Sequence, residues 1–254
     1  AVWRVANLQE IAGRNAIALS NYDLALAQYR SFADVGGEML SLAGLARIHH
    51  AMADQTAFAQ TRQSMLDIVE KIDPTQRYVL DLLDLHILMS KADYAGIADM
   101  AKDDKSLPLS ARLQMLSFRL QADAFLGNAN PAAARELAKV AKKTGRRLAK
   151  SHLILAHDTS RAYYALAYYY YANDPATARK HIAKALELDY LYEDFHSLGY
   201  SHWLAAKIAA KQKRLSDATA HLMKARNIFI SRGDAAMLTK LEAELHLIEK
   251  GDQQ

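Results

Sequence analysis

A short motif recurs along the chain: a turn residue is followed a few positions later by Ala and by a helical run. The clearest copies are Pro131-Ala132-Ala133-Ala134-Arg135 and Pro175-Ala176-Thr177-Ala178-Arg179, each preceded by a polar turn residue. Weaker copies begin at Asn21, Asp93 and Leu215. Because a unit of two helices cannot bury its own apolar face, such units must stack on their neighbours. The repetition therefore constrains architecture much more than chemistry.

Composition supports a folded helical protein. The 254 residues are 51% hydrophobic and 24% charged, which is typical of globular rather than disordered chains. Only four prolines and ten glycines interrupt a sequence rich in Ala and Leu, and this balance favours helix. The chain contains no cysteine, so disulfides, thiolate zinc sites and a cysteine nucleophile are excluded.

Net charge and hydropathy limit the classes of partner. A net charge of +4 would help contact with an acidic partner, but it is too small to predict a nucleic-acid partner. No apolar run approaches the roughly eighteen residues that a membrane span needs. The chain begins with Ala1 rather than Met, which suggests a processed form or an excised piece. Both cytoplasm and periplasm stay open, and we favour the cytoplasm.

Helical periodicity dominates the pattern of apolar residues, and residues typical of turns predict about a dozen helices with short connections. The stripes of three-to-four spacing are clearest at Leu222, Ala225, Arg226 and Phe229, and at Leu238, Leu241, Leu245 and Ile248. The predicted breaks are Asn21, Gly36–Gly37, Asp54, Asp73–Pro74, Asp93, Leu107–Pro108, Asn128–Pro131, Thr144–Gly145, Asn173–Pro175, Lys213–Ser216 and Gly233–Asp234.

Four segments approach one pattern, namely a small residue, a large residue before the second helix, Ala, a large residue and Ala, although Leu166 stands where a small residue is usual. The four segments are Gly13, Tyr22, Ala25, Tyr29 and Phe32; Ala122, Pro131, Ala134, Ala138 and Ala141; Leu166, Pro175, Ala178, Ile182 and Ala185; and Ala206, Leu215, Ala218, Leu222 and Ala225. This pattern resembles the tetratricopeptide repeat (TPR) family. The packing positions recur every 34 to 44 residues, and the shortest step matches the family period. The second and third units depart from the pattern, with Ile97 where Ala is expected.

The resemblance implies an all-α fold, namely a right-handed α-solenoid of about six TPR-like helix-turn-helix units with a C-terminal capping helix. The repeats would cover residues 5–230 and the capping helix residues 234–249, within a single superhelical domain of residues 1–254. In this family the first helix of each unit, the A helix, lines a concave groove. The implied function is a non-catalytic scaffold for protein–protein interaction that binds a peptide or protein partner in that groove.

The family's groove positions supply the candidate site residues of this chain. They are Asn7, Glu10 and Arg14 in the first unit, Arg119 and Asp123 in the fourth, Tyr163, Tyr170 and Tyr171 in the fifth, and Tyr200, Trp203, Lys207 and Lys211 in the sixth. We expect a partner to stack on the aromatic rings, while Lys207 and Lys211 pair with acidic side chains or a terminal carboxylate.

Two features could add to such a surface or could be purely structural. Tyr163–Tyr164 and Tyr168–Tyr171 place six tyrosines on one helix, more than one buried stripe uses, so we expect some rings to face outward. The alternative is that they fill gaps in the core. The basic run comprises Lys139, Lys142, Lys143, Arg146, Arg147 and Lys150. It could contact an acidic partner or phosphate, but a solvated helix end is the favoured interpretation, because no aromatic residues interleave with it.

No catalytic, metal or cofactor site is expected. His49–His50 and the pair His152 and His157 lack the three- or four-residue spacing of helical metal ligands, so we interpret the histidines as structural. An enzyme with a site in a helical bundle is disfavoured, because no nucleophile, base and orienting group converge. Two further hypotheses stay open: a sensor or regulatory domain of a larger bacterial signalling or transcription-regulating protein, and self-assembly into homo-oligomers through the open ends of the solenoid.

Overall fold

A computed structural model describes residues 2–102, 104–148 and 153–251. Within these ranges the regular secondary structure is entirely helical, and the helices form two compact units that divide between Met100 and Ala101. The single superhelical domain expected for residues 1–254 stays a prediction. No helix in the described ranges has the length and apolar character that a membrane span requires.

The first unit consists of six α-helices and one short 3-10 helix. The α-helices are α1 (Val2–Ile11), α2 (Asn15–Ser31), α3 (Val35–Ala51), α4 (Gln55–Lys71), α5 (Arg77–Ser90) and α6 (Tyr94–Met100), and the 3-10 helix (Pro74–Gln76) precedes α5. Each α-helix packs against the next one in the chain, and α3 also packs against α1 and α5.

The second unit repeats this arrangement with longer helices. They are α7 (Leu109–Phe125), α8 (Pro131–Leu148), α9 (Leu153–Tyr171), α10 (Pro175–Leu191), α11 (Phe195–Lys211), α12 (Leu215–Arg232) and α13 (Ala235–Gly251). Consecutive helices again pack together, and α9 also contacts α7 and α11. The predicted all-α solenoid of stacked helices is therefore confirmed within each unit. The last helix lies where the sequence predicts a terminal helix over residues 234–249.

Similar three-residue turns join most of the helices. In the turns before α3, α4 and α11, the middle residue has a positive φ of 53–58°, and the third residue is an Asp. That Asp side chain accepts the backbone N–H three residues later, at 2.9–3.0 Å, as an N-cap does. A helix of 17 residues plus three turn residues gives one helix start every twenty residues, as at Asp34 and Asp54.

These turns correct several predicted breaks. Asn21 lies inside α2, Thr144–Gly145 lies inside α8, and Gly36–Gly37 belongs to the first turn of α3. Breaks at residues 12–14, 32–34 and 192–194 were missed. The reason is that Ala or Glu, rather than Gly or Asn, occupies the left-handed position in two of these turns. Gly37 has a different role, since a Cβ there would lie 2.2 Å from the ring of Tyr29.

The predicted packing positions are core positions in every unit but the second, where Ala59 is exposed and Phe58 is half-buried. Ala25, Ala134, Ala178 and Ala218 are buried, as is Ile97 in the departing third unit. Small side chains at these points let neighbouring helices approach closely, and larger residues fill the remaining gaps. Buried residues of α7 to α11 form one cluster, and α11, α12 and α13 share a second cluster around Phe229.

Candidate partner-binding site

The groove candidates of the first unit are bound within the protein. Both carboxylate oxygens of Glu10 accept from Arg47, at 2.7 and 2.8 Å, and the Tyr22 hydroxyl donates to Glu10 at 2.6 Å. Asn7 in turn donates to the Tyr22 hydroxyl at 3.5 Å. Burial and the nearby Glu10 carboxylate raise the pKa of Tyr22 well above its ordinary value. This network fastens α1 to α2 and α3, so Glu10 acts as a structural residue.

Arg14 does not lie on the first A helix. Gly13, expected in the middle of that helix, instead occupies the α1–α2 turn with a φ of 74°. Arg14 is consequently the residue that immediately precedes α2, where its exposed guanidinium donates to the Gln9 side chain at 3.4 Å. The predicted register is wrong here, because a glycine with positive φ ends a helix rather than packing inside one.

The candidates of the fourth unit close the turn between α7 and α8. Arg119 donates to Asp123 at 2.9 Å, and the Asn130 side chain donates to the same carboxylate oxygen at 2.7 Å. The backbone N–H of Asn128 also donates to the Asp123 carbonyl at 2.8 Å. With only 1% of Asp123 exposed, its carboxylate is held by protein donors and does not face a partner.

The six tyrosines of α9 pack against other groups of the protein. Tyr163 is buried, and the other five are half-buried, so those five rings face outward only in part. The ring of His181 stacks between Tyr163 and Tyr170, at centroid distances of 6.0 and 5.8 Å. The Tyr169 hydroxyl accepts the backbone N–H of Asn130 at 2.9 Å. Buried alanines along α9 leave the space that these large rings fill.

Three of the predicted residues meet at the carboxyl-terminal end of α9. Trp203, Lys207 and Lys211 are four residues apart on α11, so they lie on one face of that helix. This face meets Tyr171, the last residue of α9, and Glu244 of α13. We call Tyr171, Trp203, Lys207 and Lys211 the carboxylate site, because Trp203 and Lys207 both contact the side chain of Glu244 and the other two residues lie beside them.

The geometry of the carboxylate site suits a negatively charged group. The indole Nε1–H of Trp203 donates to Glu244 Oε2 at 2.8 Å, and Lys207 Nζ lies 3.7 Å from Glu244 Oε1. Lys207 Nζ also lies 4.7 Å from the ring centroid of Trp203 and 5.7 Å from that of Tyr171. Lys207 and Glu244 each keep 28% of the side chain exposed, so solvent reaches the pair.

The second lysine borders the site from the solvent side. Lys211 Nζ lies 5.0 Å from the ring centroid of Tyr171 and donates to the carbonyl of Ala172 at 2.5 Å. Burial, together with the negative charge of Glu244, raises the pKa of Tyr171, so its hydroxyl stays protonated. Two ammonium groups therefore surround one aromatic ring, which attracts them through its quadrupole.

Tyr200 lies apart from this site, although it is on the same helix. Its ring packs edge-on against Phe229 and tilts against His196, each at a centroid distance of 5.2 Å. It therefore belongs to the core that α11 shares with α12 and α13. Tyr163 and Tyr170 are likewise separate, because they face α10. Sequence reasoning missed Glu244, since no motif marks a carboxylate on the terminal helix.

The basic run lies mainly on the exposed face of α8. Lys139, Lys142, Lys143 and Arg146 are exposed, and Lys139 Nζ lies 3.7 Å from the carboxylate of Glu136. The side chain of Arg147 and the whole of Lys150 are outside the described residues. The opposite face of α8 is buried, so these cations mark the solvated face of an amphipathic helix.

Several of the described histidines take part in structural contacts. His157 hydrogen-bonds the N-cap Asp194, and His202 lies between Tyr190 and His221, at 2.7 and 2.8 Å. His50 contacts Ser90 at 3.0 Å, whereas His152 lies outside the described residues. Among the residues that the structure describes, no three His, Asp or Glu side chains are grouped closely enough to hold a metal ion.

Compared with known protein families and with curated proteins, the sequence matches no family model and no curated relative.

Proposed function

We propose that this protein is a non-catalytic interaction module that binds an acidic segment of a protein or peptide partner at the carboxylate site. The observation that carries the proposal is the double contact of one carboxylate with the Trp203 indole N–H and the Lys207 ammonium group. An acidic side chain or the terminal carboxylate of a partner would make the same two contacts.

The chemistry of the site supports this proposal. A hydrogen bond from a neutral donor to a carboxylate fixes its position, and a nearby ammonium group adds charge attraction. Trp and Tyr are common among the residues that dominate binding energies, because they present large, rigid surfaces. Lys207 and Lys211 lie beside such rings, and the partial burial of Lys207 strengthens its attraction for an anion.

We also propose that the helical hairpins are of the TPR kind, in a variant with long helices. The buried alanines and the succession of A helices α7, α9 and α11 support this assignment. The helices of 17 residues and their three-residue turns give about forty residues per hairpin where the chain is most regular, which is longer than the common period of about 34 residues. The carboxylate site then lies on the A-helix side, which in this family receives partners.

The proposal is tested with a fluorescein-labelled peptide rich in Asp and Glu, titrated with the full chain and followed by fluorescence anisotropy. Because Glu244 contacts the same two groups, each variant is made in the Glu244→Gln background. Lys207→Met removes the ammonium group, and Trp203→Phe removes the indole N–H but keeps a ring. We expect each variant to weaken binding about tenfold, which corresponds to about 1.4 kcal/mol. Lys142→Met, on the exposed face of α8, is the matched control, since it makes the same change in charge elsewhere.

The control separates a specific site from general attraction. Binding should weaken little in Lys142→Met and should fall only modestly as salt is added, because the site is partly shielded from solvent. Equal losses in Lys142→Met and Lys207→Met would show that the basic run attracts the peptide. Unchanged binding in both Lys207→Met and Trp203→Phe would refute the assignment of the site.

A further inference from the structure

We infer that α13 is an internal competitor for the carboxylate site, with Glu244 in the place of a partner's acidic group. The inference rests on the proposed function and adds the regulation of the same site. A partner would have to displace Glu244 before its own carboxylate could bind.

Glu244 uses both of the site's principal polar groups. One of its carboxylate oxygens accepts from Trp203 Nε1, and the other lies nearest to Lys207 Nζ. A second carboxylate could not approach the same N–H and ammonium group without strong repulsion between like charges. Binding of an acidic partner and binding of Glu244 are therefore mutually exclusive.

The described part of α13 buries fewer side chains than α11 does, although Leu238 and Leu245 also pack, partly buried, against the shared cluster. Of its side chains that the structure describes, only Met237 and Leu241 are buried, and they pack on α12 beside Phe229. By contrast, α11 has nine buried residues. The described part of α13 therefore opens more readily than α11, because less of its apolar surface is exposed when it leaves.

The other ion pair of α13 is weaker and points away from the site. Arg226 of α12 lies 3.9 Å from Glu242, whose side chain is 62% exposed. An exposed pair at this distance contributes little to docking. The contacts of Glu244 are shorter and less exposed, so among the described residues Glu244 provides a specific polar contact between α13 and α11.

With competition of this kind, the apparent affinity equals the affinity of the open site multiplied by the fraction of molecules whose site is open. Removing the charge of Glu244 should raise that fraction without changing the groups that contact the partner. We expect Glu244→Gln to bind the acidic peptide about tenfold more tightly than the unaltered chain, within the usual range of coupling between two sites. Glu242→Gln is the matched control on the same helix and should bind as the unaltered chain does.

The experiment uses the same labelled peptide, with hydrogen exchange of α13 as a second measurement. Saturating peptide should speed amide exchange in α13 of the unaltered chain, because the helix loses its tie to α11. Equal affinities of the unaltered chain, Glu244→Gln and Glu244→Ala, with no change of exchange in α13, would overturn the inference while leaving the proposed function intact. An absence of peptide binding in every variant would instead refute the proposed function.

Discussion

Replacing Gly44 by Ala tests whether the close contact between α2 and α3 is required. Gly44 lies in the interior of α3, and a Cβ built there would lie 2.3 Å from Cζ and 2.4 Å from Cε1 of Tyr22. Tyr22 is fully buried, and its hydroxyl donates to Glu10. The ring therefore cannot move aside without disturbing both the core and the polar network of the first unit.

The expected magnitude follows from opposing effects. Ala favours a helix interior over Gly by about 1 kcal/mol. Overpacking a well-packed core costs about 1–3 kcal/mol, and the hydrogen bond to the charged Glu10, if broken, costs about 1.5–3 kcal/mol more. We expect Gly44→Ala to lower the free energy of unfolding by about 2–4 kcal/mol. The steric effect should outweigh helix propensity.

Urea denaturation followed by far-UV circular dichroism measures this change. Gly145→Ala is the matched control: this glycine also lies inside a helix, but apart from that helix's backbone no described atom is within 4 Å of the added Cβ. It should stabilise the protein by about 0.5–1 kcal/mol. Replacing Tyr22 by the smaller Leu should relieve the clash with the added methyl group. The double variant Tyr22→Leu, Gly44→Ala should therefore lose less stability than the sum of the losses of the two single variants. Equal stabilisation by both Gly→Ala changes would refute the reasoning.

Two further predictions concern buried charges. Asp189 accepts from two serine hydroxyls, and burial raises its pKa from 3.8 to about 7. Because the folded protein binds this proton more tightly than the unfolded chain does, protonated Asp189 stabilises the fold. This stabilisation is fully present below about pH 4 and is lost as the pH rises to about 7. Urea unfolding of Asp189→Asn across this range should show a stability advantage over the unaltered chain that grows with pH, and a difference independent of pH would contradict this. Arg47→Met leaves the Glu10 carboxylate without its cation and should destabilise the protein by about 2–4 kcal/mol in thermal or urea unfolding. This is somewhat below the value for a fully buried pair, because both side chains keep about a fifth of their surface exposed. Adding Glu10→Gln should recover part of the lost stability. If the double variant instead loses the sum of the two single losses, the two residues are not coupled as a pair.

The sequence alone was enough to predict an all-α array with packing alanines. Apolar spacing and small residues are local signals, because a helix needs only neighbours three or four positions away. Ala134 and Ala178 are buried as predicted. The turns were harder to place, because Ala33 and Ala53 adopt left-handed conformations that glycine usually marks. The Asp that follows each of them, at intervals of twenty residues, was the available signal.

The candidate site shows what only the tertiary structure decided. The choice of Trp203 and Lys207 came from their repeat positions, but their meeting with Glu244 depends on how α13 docks against α11 and α12. The sequence also placed Glu10 and Asp123 in a groove, whereas the folded protein pairs both with its own cations. Helix formation is decided by neighbouring residues, but the partner of a charged side chain is decided by groups from distant helices that compete for it.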